Sequence, residues 1–551
     1  MPAKDPAAEG RKPAKKAVAK ATAKKAAAPS KKTVAKKAAV AKKAAAKKAA
    51  PKKAVAKKVA PKKTAAKKTA SPPPPAPAFP PAPEDLDRPW VDSYPPLVPA
   101  SYPYPDVPLT RLLDDAAKDF PDSVAVDFLG KTLTYRRLLD QVDRFATALQ
   151  GLGVEKGDRV GLALPNCPQH VVALFATLRL GGIAVEIDPS IDERGLAARI
   201  NDAGCRVLVV LDPVYAKVEH LKGQVHTVEH VVGTAVADYL SPVPAAAFNF
   251  RHRRNADLVH KIPPAEGVLR FNELVRRHPP TATQVPVDPA EDVAVLAYPQ
   301  SDGGAAPRGV MLTHRNLLAN VFQVRLWVPD VQAGRETILC AAPFFEPFGL
   351  TAGVSLGILS AATMTLVPSF ERDDVLQLID KRKPTLFPAS AAMVESVVKA
   401  ANLRKFDLTS IRACLCNSSS MAADVVKSFE DVTGGRLREG LSLPEATGLT
   451  HANPVYGKTK PQSAGLPLSD TVCALIDPHD PQRLAPADGP GRLAICGPQV
   501  MKGYWRRPDE TAAALVNGWL VTSLVADADE SGYFCILGRA DENAAEVPAQ
   551  A

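Results

Sequence analysis

No run in this 551-residue chain approaches the roughly 20 consecutive apolar residues that a bilayer-spanning helix needs, so no membrane span is expected. The first 70 residues contain no aromatic side chain and only two acids, Asp5 and Glu9. Their Ala tracts are interrupted by Lys pairs, so no secretory apolar region forms there. The eight cysteines, scattered from Cys167 to Cys535, have no paired metal-type spacing. They read as buried, reduced thiols of a cytosolic protein, and a cytoplasmic location is expected.

Charge is plentiful but unevenly spread. The chain carries a formal +11. Residues 1–70 hold 24 Lys and Arg against two acids, a charge of +22, which leaves the remainder at −11. A basic arm is thus fused to a mildly acidic body, and the two need separate explanations. In the arm, Lys-Lys pairs begin at 42, 47, 52, 57, 62 and 67. A five-residue step on a helix rotates successive pairs by roughly 140°, so lysines cover every side and no apolar stripe survives. Pro51 and Pro61 break any long helix. With almost no large apolar side chains, the arm cannot offset its ordering entropy and is expected to be disordered. Residues 71–83 (SPPPPAPAFPPAP) read as an extended polyproline spacer within a linker over 71–88.

The arm's composition and beat resemble the Lys/Ala-rich tails of linker histones and bacterial histone-like proteins. Through residues 11–68 it would neutralise phosphates and release counterions, binding nucleic acid or another polyanion without sequence preference, with Kd around 10⁻⁴–10⁻⁶ M. A solubilising tail and a patch for anionic lipid are the alternatives. Nucleoid association would follow from the first.

From Leu109 onward the pattern alternates between helices and short apolar strands. TRLLDDAAKDF, YRRLLDQVDRFATALQGLG and HVVALFATLRLGG have helical spacing. RVGLALP, CRVLVVLD, VAVLAY, ATMTLVP, TLFPAS and IRACLC read as buried strands. Such alternation implies a layered α/β architecture with parallel sheets. Residues 471–538 differ: VCALIDP, RLAICGP, GWLVTS and GYFCILG are short strands with turn signals, suggesting a smaller β-rich lobe.

Two long stretches resemble the acyl-CoA synthetase, or AMP-binding, superfamily, and most of all bacterial long-chain fatty-acid–CoA ligases. One is Gly309-Val-Met-Leu-Thr-His-Arg-Asn316. The other is Gly497-Pro-Gln-Val-Met-Lys-Gly-Tyr-Trp505, continuing Arg-Arg-Pro-Asp-Glu-Thr511. APFFEPFGL (342–350), EGLSLPEATGLTHANP (439–454), SAGLPL (463–468), DESGYFCILGRAD (529–541) and the opening RPW…SYPPLVPASYPYPDVPLTRLL (88–113) add to it. The resemblance implies the large N-terminal domain of the adenylate-forming fold over 89–541, with 471–538 as its β-rich lobe. It also implies ATP-dependent activation of a carboxylate to an acyl-adenylate, with Mg²⁺, followed by transfer to CoA.

The residues that perform this chemistry are only partly present. The family's phosphate loop, Ser-Gly-Thr-Thr-Gly-x-Pro-Lys-Gly, is here Ser301-Asp302-Gly303-Gly304-Ala305-Ala306-Pro307-Arg308-Gly309. Ser301, Gly303 and Gly304 keep backbone N–H groups for an anion, and Arg308 keeps the lysine's charge but not its shape. Both threonines are gone and Asp302 opposes phosphate. A flexible connecting turn is the plainer reading. The adenine turn is Cys416-Asn417-Ser418-Ser419-Ser420-Met421, without the usual glycines. Glu445 matches the magnesium-binding glutamate, while Leu441 and Pro444 replace a stacking Tyr and a phosphate-binding hydroxyl. Thr522-Ser523-Leu524 stands for Thr-Gly-Asp: Thr522 is kept, but Leu524 cannot hold ribose hydroxyls. Arg539 matches the second ribose contact, or pairs with Asp541 or Glu542. Glu346 occupies a histidine position near the acyl entrance, and Phe344, Phe345 and Phe348 beside it read as core. Past Arg539 the family continues through a Lys-Asp hinge into a domain carrying a catalytic lysine. Asp541 and Glu542 stand at that hinge and 542–551 read as its truncated remnant, so CoA chemistry is expected only from a separate partner domain.

The expectation is an acyl-CoA synthetase-like AMP-binding protein, catalytically impaired and retained for binding or scaffolding, with ATP or AMP and Mg²⁺ weakly held. An acyl ligand is a further expected partner. The alternatives are a divergent fatty-acid–CoA ligase and a nucleoid-associated protein acting through its tail. Deleting residues 1–70 is expected to abolish low-salt retention on immobilised DNA; unchanged retention would remove the polyanion role.

Overall fold

The computed structural model describes residues 83–252, 262, 269–282, 284–299, 306–478, 480, 483–486 and 489–540. The basic arm, most of the proline-rich linker, Ser301, Asp302, Gly303, Gly304, Asp541 and Glu542 lie outside the described residues, as do the expectations attached to them.

The aliphatic runs Ile183–Glu186 and Val207–Leu211 are buried along their whole length, as strands are when both faces of a sheet are covered. They belong to an eight-stranded sheet in the order Gly503–Tyr504, Val310–Thr313, Val293–Ala297, Ile183–Glu186, Arg159–Ala163, Val207–Leu211, His230–Thr234, Leu269–Arg270. Pairing is parallel from Val293–Ala297 to Leu269–Arg270 and antiparallel at the other edge. Helices Pro168–Arg179 and Glu193–Ala203 supply crossovers between the parallel strands. Pro168–Arg179 is buried at every position, inside the fold.

A second sheet orders Thr337–Cys340, Thr363–Leu366, Val124–Phe128 and Lys131–Thr134, and a third orders Ala413–Cys416, Arg436–Leu443, Gly448–Ala452 and Leu466–Pro467. TLFPAS joins them, though not as the continuous strand that its sequence suggests. Leu386 and Ala389 make only isolated bridges, because Pro388 between them has no N–H to add to a ladder. The last lobe is wholly antiparallel: Val472–Ile476, Gly491–Cys496 and Trp519–Ala528, with Leu515–Val516 and Phe534–Arg539 both on Trp519–Ala528. Cys414 and Cys416, two apart and so on one strand face, share a buried cluster.

Helix His314–Trp327 ties the layers together through polar groups. Asn320 Nδ2 donates to Leu449 O at 2.7 Å, Gln323 Nε2 to Ser469 O at 2.7 Å and Trp327 Nε1 to Asn453 O at 3.2 Å. Backbone that would otherwise be buried unpaired is thereby satisfied. Across the lobe runs the opening segment: Trp90 lies against Gly532, Tyr94 Oη donates to Pro467 O at 2.6 Å, and Tyr102 stacks on Phe322 at 5.3 Å.

Two histidines are locked in neutral form by burial. His314 accepts from Leu109 N at 3.2 Å, and desolvation lowers its pKa to about 4. His451 sits between Thr450 Oγ1 at 2.9 Å and Cys473 Sγ at 3.3 Å, and desolvation lowers its pKa to about 3. The unfolded chain takes up these protons near pH 6.5. Their stabilising contribution is therefore complete above that pH and is lost as pH falls towards the folded values. The urea midpoint is expected to drop between pH 7 and 4.5, and more shallowly in His314→Gln. An identical slope in that variant would show that other groups dominate.

Candidate nucleotide site

The two motifs that carried the resemblance are each other's neighbours in space. Gly503 pairs with Met311 and Tyr504 with Val310, and the ladder extends through Lys502 N to Met311 O at 2.9 Å and Trp505 N to Gly309 O at 2.7 Å. Thr313 and Asn316 form a capping box at the start of helix His314–Trp327. The Asn316 amide then reaches across to donate to Pro498 O at 2.8 Å. Glycine is needed at 503: its φ is +140° and a Cβ would lie 2.6 Å from Thr511 Cγ2. Thr511 folds back over this point, its Oγ1 accepting from Tyr504 N at 2.9 Å.

Arg507 fastens the far side. Its Nη2 donates to Asp202 Oδ1 at 2.9 Å and to Pro307 O at 3.0 Å. Tyr298 Oη donates to the other Asp202 oxygen at 2.7 Å; burial first, and this bond second, push the phenol pKa up. Tyr298 precedes the phosphate loop and Pro307 lies near its end, so Asp202 ties the two together, directly at Tyr298 and through Arg507 at Pro307.

Arg308 and Glu445 are brought together, on two sides of one ring. The Arg308 guanidinium lies 5.3 Å from the centroid of Tyr504 and 3.6 Å from Glu510 Oε2. Tyr504 Oη donates to Glu445 Oε1 at 3.0 Å, and burial followed by the Glu445 charge raises its pKa. Glu445 occupies the single turn Pro444–Ala446, held by Met501 N to Glu445 O at 2.8 Å. Among the described residues no group of three or more His, Cys, Asp or Glu could hold a metal. One carboxylate suits Mg²⁺ when nucleotide phosphates and water complete its oxygen shell, and Glu445 fits that limited role. Sequence reading missed Tyr504 as a link between the two, although its Gly-Tyr-Trp setting had been singled out.

Thr522 and Arg539 belong to another sheet. The Thr522 hydroxyl donates to Leu493 O at 2.8 Å and accepts from Leu524 N at 3.1 Å, so it is engaged within the lobe. Leu524 is buried and lies in register opposite Arg539, which is exposed. The adenine turn is braced from within: Ser418 Oγ donates to Ser420 O at 2.9 Å and Gly440 N to Ser418 O at 3.1 Å. Glu439, passed over in the sequence, accepts from Met421 N at 2.7 Å and from Gln462 N at 3.2 Å. Burial raises its pKa. Phe344 and Phe348 are core, and Phe345 is partly exposed. Glu346 is half-buried, and desolvation, then the charge of Asp188, raises its pKa.

Arg507→Ala is expected to lower stability by about 1–3 kcal/mol, because it strips Asp202 of its charged partner and frees Pro307 O. Arg507→Lys should recover only part of this, having lost the two-pronged geometry. Urea unfolding with Asp202→Asn as the second arm of a double-mutant cycle would check the coupling.

Residues 113–505 match the family of AMP-binding enzymes, and residues 4–148 also match a family of unknown function. The chain is 38% identical over 453 residues to a long-chain-fatty-acid–CoA ligase of Bacillus subtilis, covering 82% of this chain and 80% of that one. A ligase of the same description from Salmonella typhimurium is 32% identical over 457 residues, with 82% and 80% covered. Among solved structures, an anthranilate CoA ligase in complex with anthranoyl-AMP superposes with a TM-score of 0.70 at 23% identity, covering 81% of this chain and 79% of that one. A long-chain-fatty-acid-CoA ligase from Archaeoglobus fulgidus gives a TM-score of 0.68 at 22% identity, covering 80% and 85%. The chain belongs to the family of AMP-binding, adenylate-forming enzymes.

Proposed function

We propose that this protein retains the acyl-CoA synthetase-like fold for binding or scaffolding, with its adenylate chemistry impaired and the basic arm serving as a tether to a polyanion such as nucleic acid. The observation that carries this reading is Leu524 in register with Arg539. Where relatives would offer a carboxylate to the ribose hydroxyls, this chain offers buried hydrocarbon, and unpaired hydroxyls cost about 1–3 kcal/mol. Thr522 is committed to Leu493 O, Arg308 faces Glu510, and the loop carries Asp302 in place of a glycine. Losing one preorganised donor to a transition state typically costs about 10²–10³ in rate. ATP or AMP, with Mg²⁺ at Glu445, is the expected but weakened ligand, and a fatty-acyl group the expected acyl class.

A second reading, a divergent ATP-dependent fatty-acid–CoA ligase, is favoured by one feature: Tyr504 holds Glu445 and Arg308 together on the same ring. The 38% identity to a long-chain-fatty-acid–CoA ligase supports the same substrate class.

Calorimetric titration with ATP–Mg²⁺, then with a non-hydrolysable acyl-adenylate analogue, separates the two. Residues 85–551 alone serve as the arm-free comparison. Binding weaker than micromolar is expected, and Leu524→Asp should tighten it about tenfold by restoring an acceptor for the ribose hydroxyls. Micromolar binding by the unsubstituted chain, together with rapid ATP-dependent adenylate formation, would sink the impaired reading in favour of the ligase.

A further inference from the structure

One carboxylate stands between two guanidiniums beside the Tyr504 ring. Glu510 Oε2 lies 3.6 Å from Arg308 Nη1, and its Oε1 lies 3.6 Å from Arg507 Nη1. Both distances exceed the about 2.7–3.2 Å of a hydrogen bond. Glu510 is therefore shared between the two cations and bonded closely to neither. Its position is set by the helix Pro508–Ala514 and by Thr511 next to it, whose hydroxyl accepts from Tyr504 N at 2.9 Å.

The two arginines are held very differently. Arg507 has closer partners in Asp202, at 2.9 Å, and Pro307 O, at 3.0 Å, and its side chain is 28% exposed. It keeps its place without Glu510. The Arg308 side chain is 56% exposed, and beyond Glu510 it meets the face of the Tyr504 ring, 5.3 Å from the centroid. An exposed ion pair of this kind contributes little, so a better anion breaks it. Phosphate oxygens meet a guanidinium in charge-assisted bonds of about 2.7–2.9 Å, shorter than either contact that Glu510 makes.

A purely structural role for Glu510 would be to place an acid in the first turn of its helix, where the dipole favours one. Asp509 already supplies that charge to the same turn. What Glu510 adds is its place between Arg308 and Arg507.

We propose that Glu510 is a displaceable counter-ion of the nucleotide site, neutralising Arg308 until a nucleotide phosphate takes its place. This rests on the reading that a nucleotide is held at Arg308 and Glu445, and it adds a residue that sets how tightly. Of the features that weaken the site, this one is reversible: Arg308 is present and facing the wrong anion.

Calorimetric titration of the full chain at low salt with ATP–Mg²⁺, and with adenosine as the uncharged comparison, tests it. Glu510→Gln is expected to tighten ATP–Mg²⁺ about threefold, the scale of one exposed ion pair, and to leave adenosine unchanged. Adding Arg308→Gln should erase that gain. Should Glu510→Gln lower thermal stability, Glu510→Asp keeps the helix charge while drawing the carboxylate back by one methylene, and a smaller tightening is expected. An equal gain with and without Arg308 would show that only overall charge matters, and would overturn the proposal. Unchanged ATP–Mg²⁺ binding in a folded Glu510→Gln would overturn it too, while leaving the nucleotide reading intact. Failure of every variant to bind ATP–Mg²⁺ would remove that reading and the proposal together.

Discussion

The antiparallel pairing of Gly503 and Tyr504 with Met311 and Val310 is the constraint on which the nucleotide region depends. It adds an edge to the eight-stranded sheet using only two residues, yet those residues come from a segment nearly two hundred positions further along the chain. Once the pairing forms, Tyr504 faces Arg308 and Glu445, Trp505 closes over Gly309, and Arg507 reaches Asp202 and Pro307. Gly503 makes the approach feasible, since any Cβ there would collide with Thr511. The frame around the phosphate loop is thus held by backbone pairing and one shared carboxylate.

The frame around the loop and the β-rich lobe answer different physical demands. The capping box at Thr313, the Asn316 bond to Pro498 and the Arg507–Asp202 pair satisfy groups that would otherwise be unpaired in a covered sheet edge. Leu524 answers another demand, burying hydrocarbon on Trp519–Ala528 where that strand pairs with Phe534–Arg539. Hydrocarbon at that position accepts no hydrogen bond. Local consistency with the fold and suitability for nucleotide are separate requirements here.

Electrostatics divides the protein in a similar way. Residues 1–70 carry +22, while the rest of the chain carries −11. Within the body, charges that matter to structure are tied in pairs, as in Arg179 with Asp114 and Asp143 or Arg412 with Asp330 and Glu336. The buried His170–Glu186 pair, 3.0 Å apart beneath Phe344, belongs to this class. On helix Pro242–His252 the apolar Val243 and Phe250 are exposed.

Much of the architecture was legible because periodicity is local. Apolar runs such as VLVVL and the helical spacing of YRRLLDQVDRFATALQG declare their elements within one window, and the ordered motifs carried the fold. TLFPAS was misread only in its continuity, where one proline interrupts the ladder. Glu445 and Arg308 were visible as residue types, but their common partner Tyr504 was not, nor was Glu439 as the brace of the adenine turn. By itself the sequence determined the strands, the helices and the residue types at the motif positions. The tertiary structure alone decided which survivors meet, because sheet order brings together residues that no local period relates.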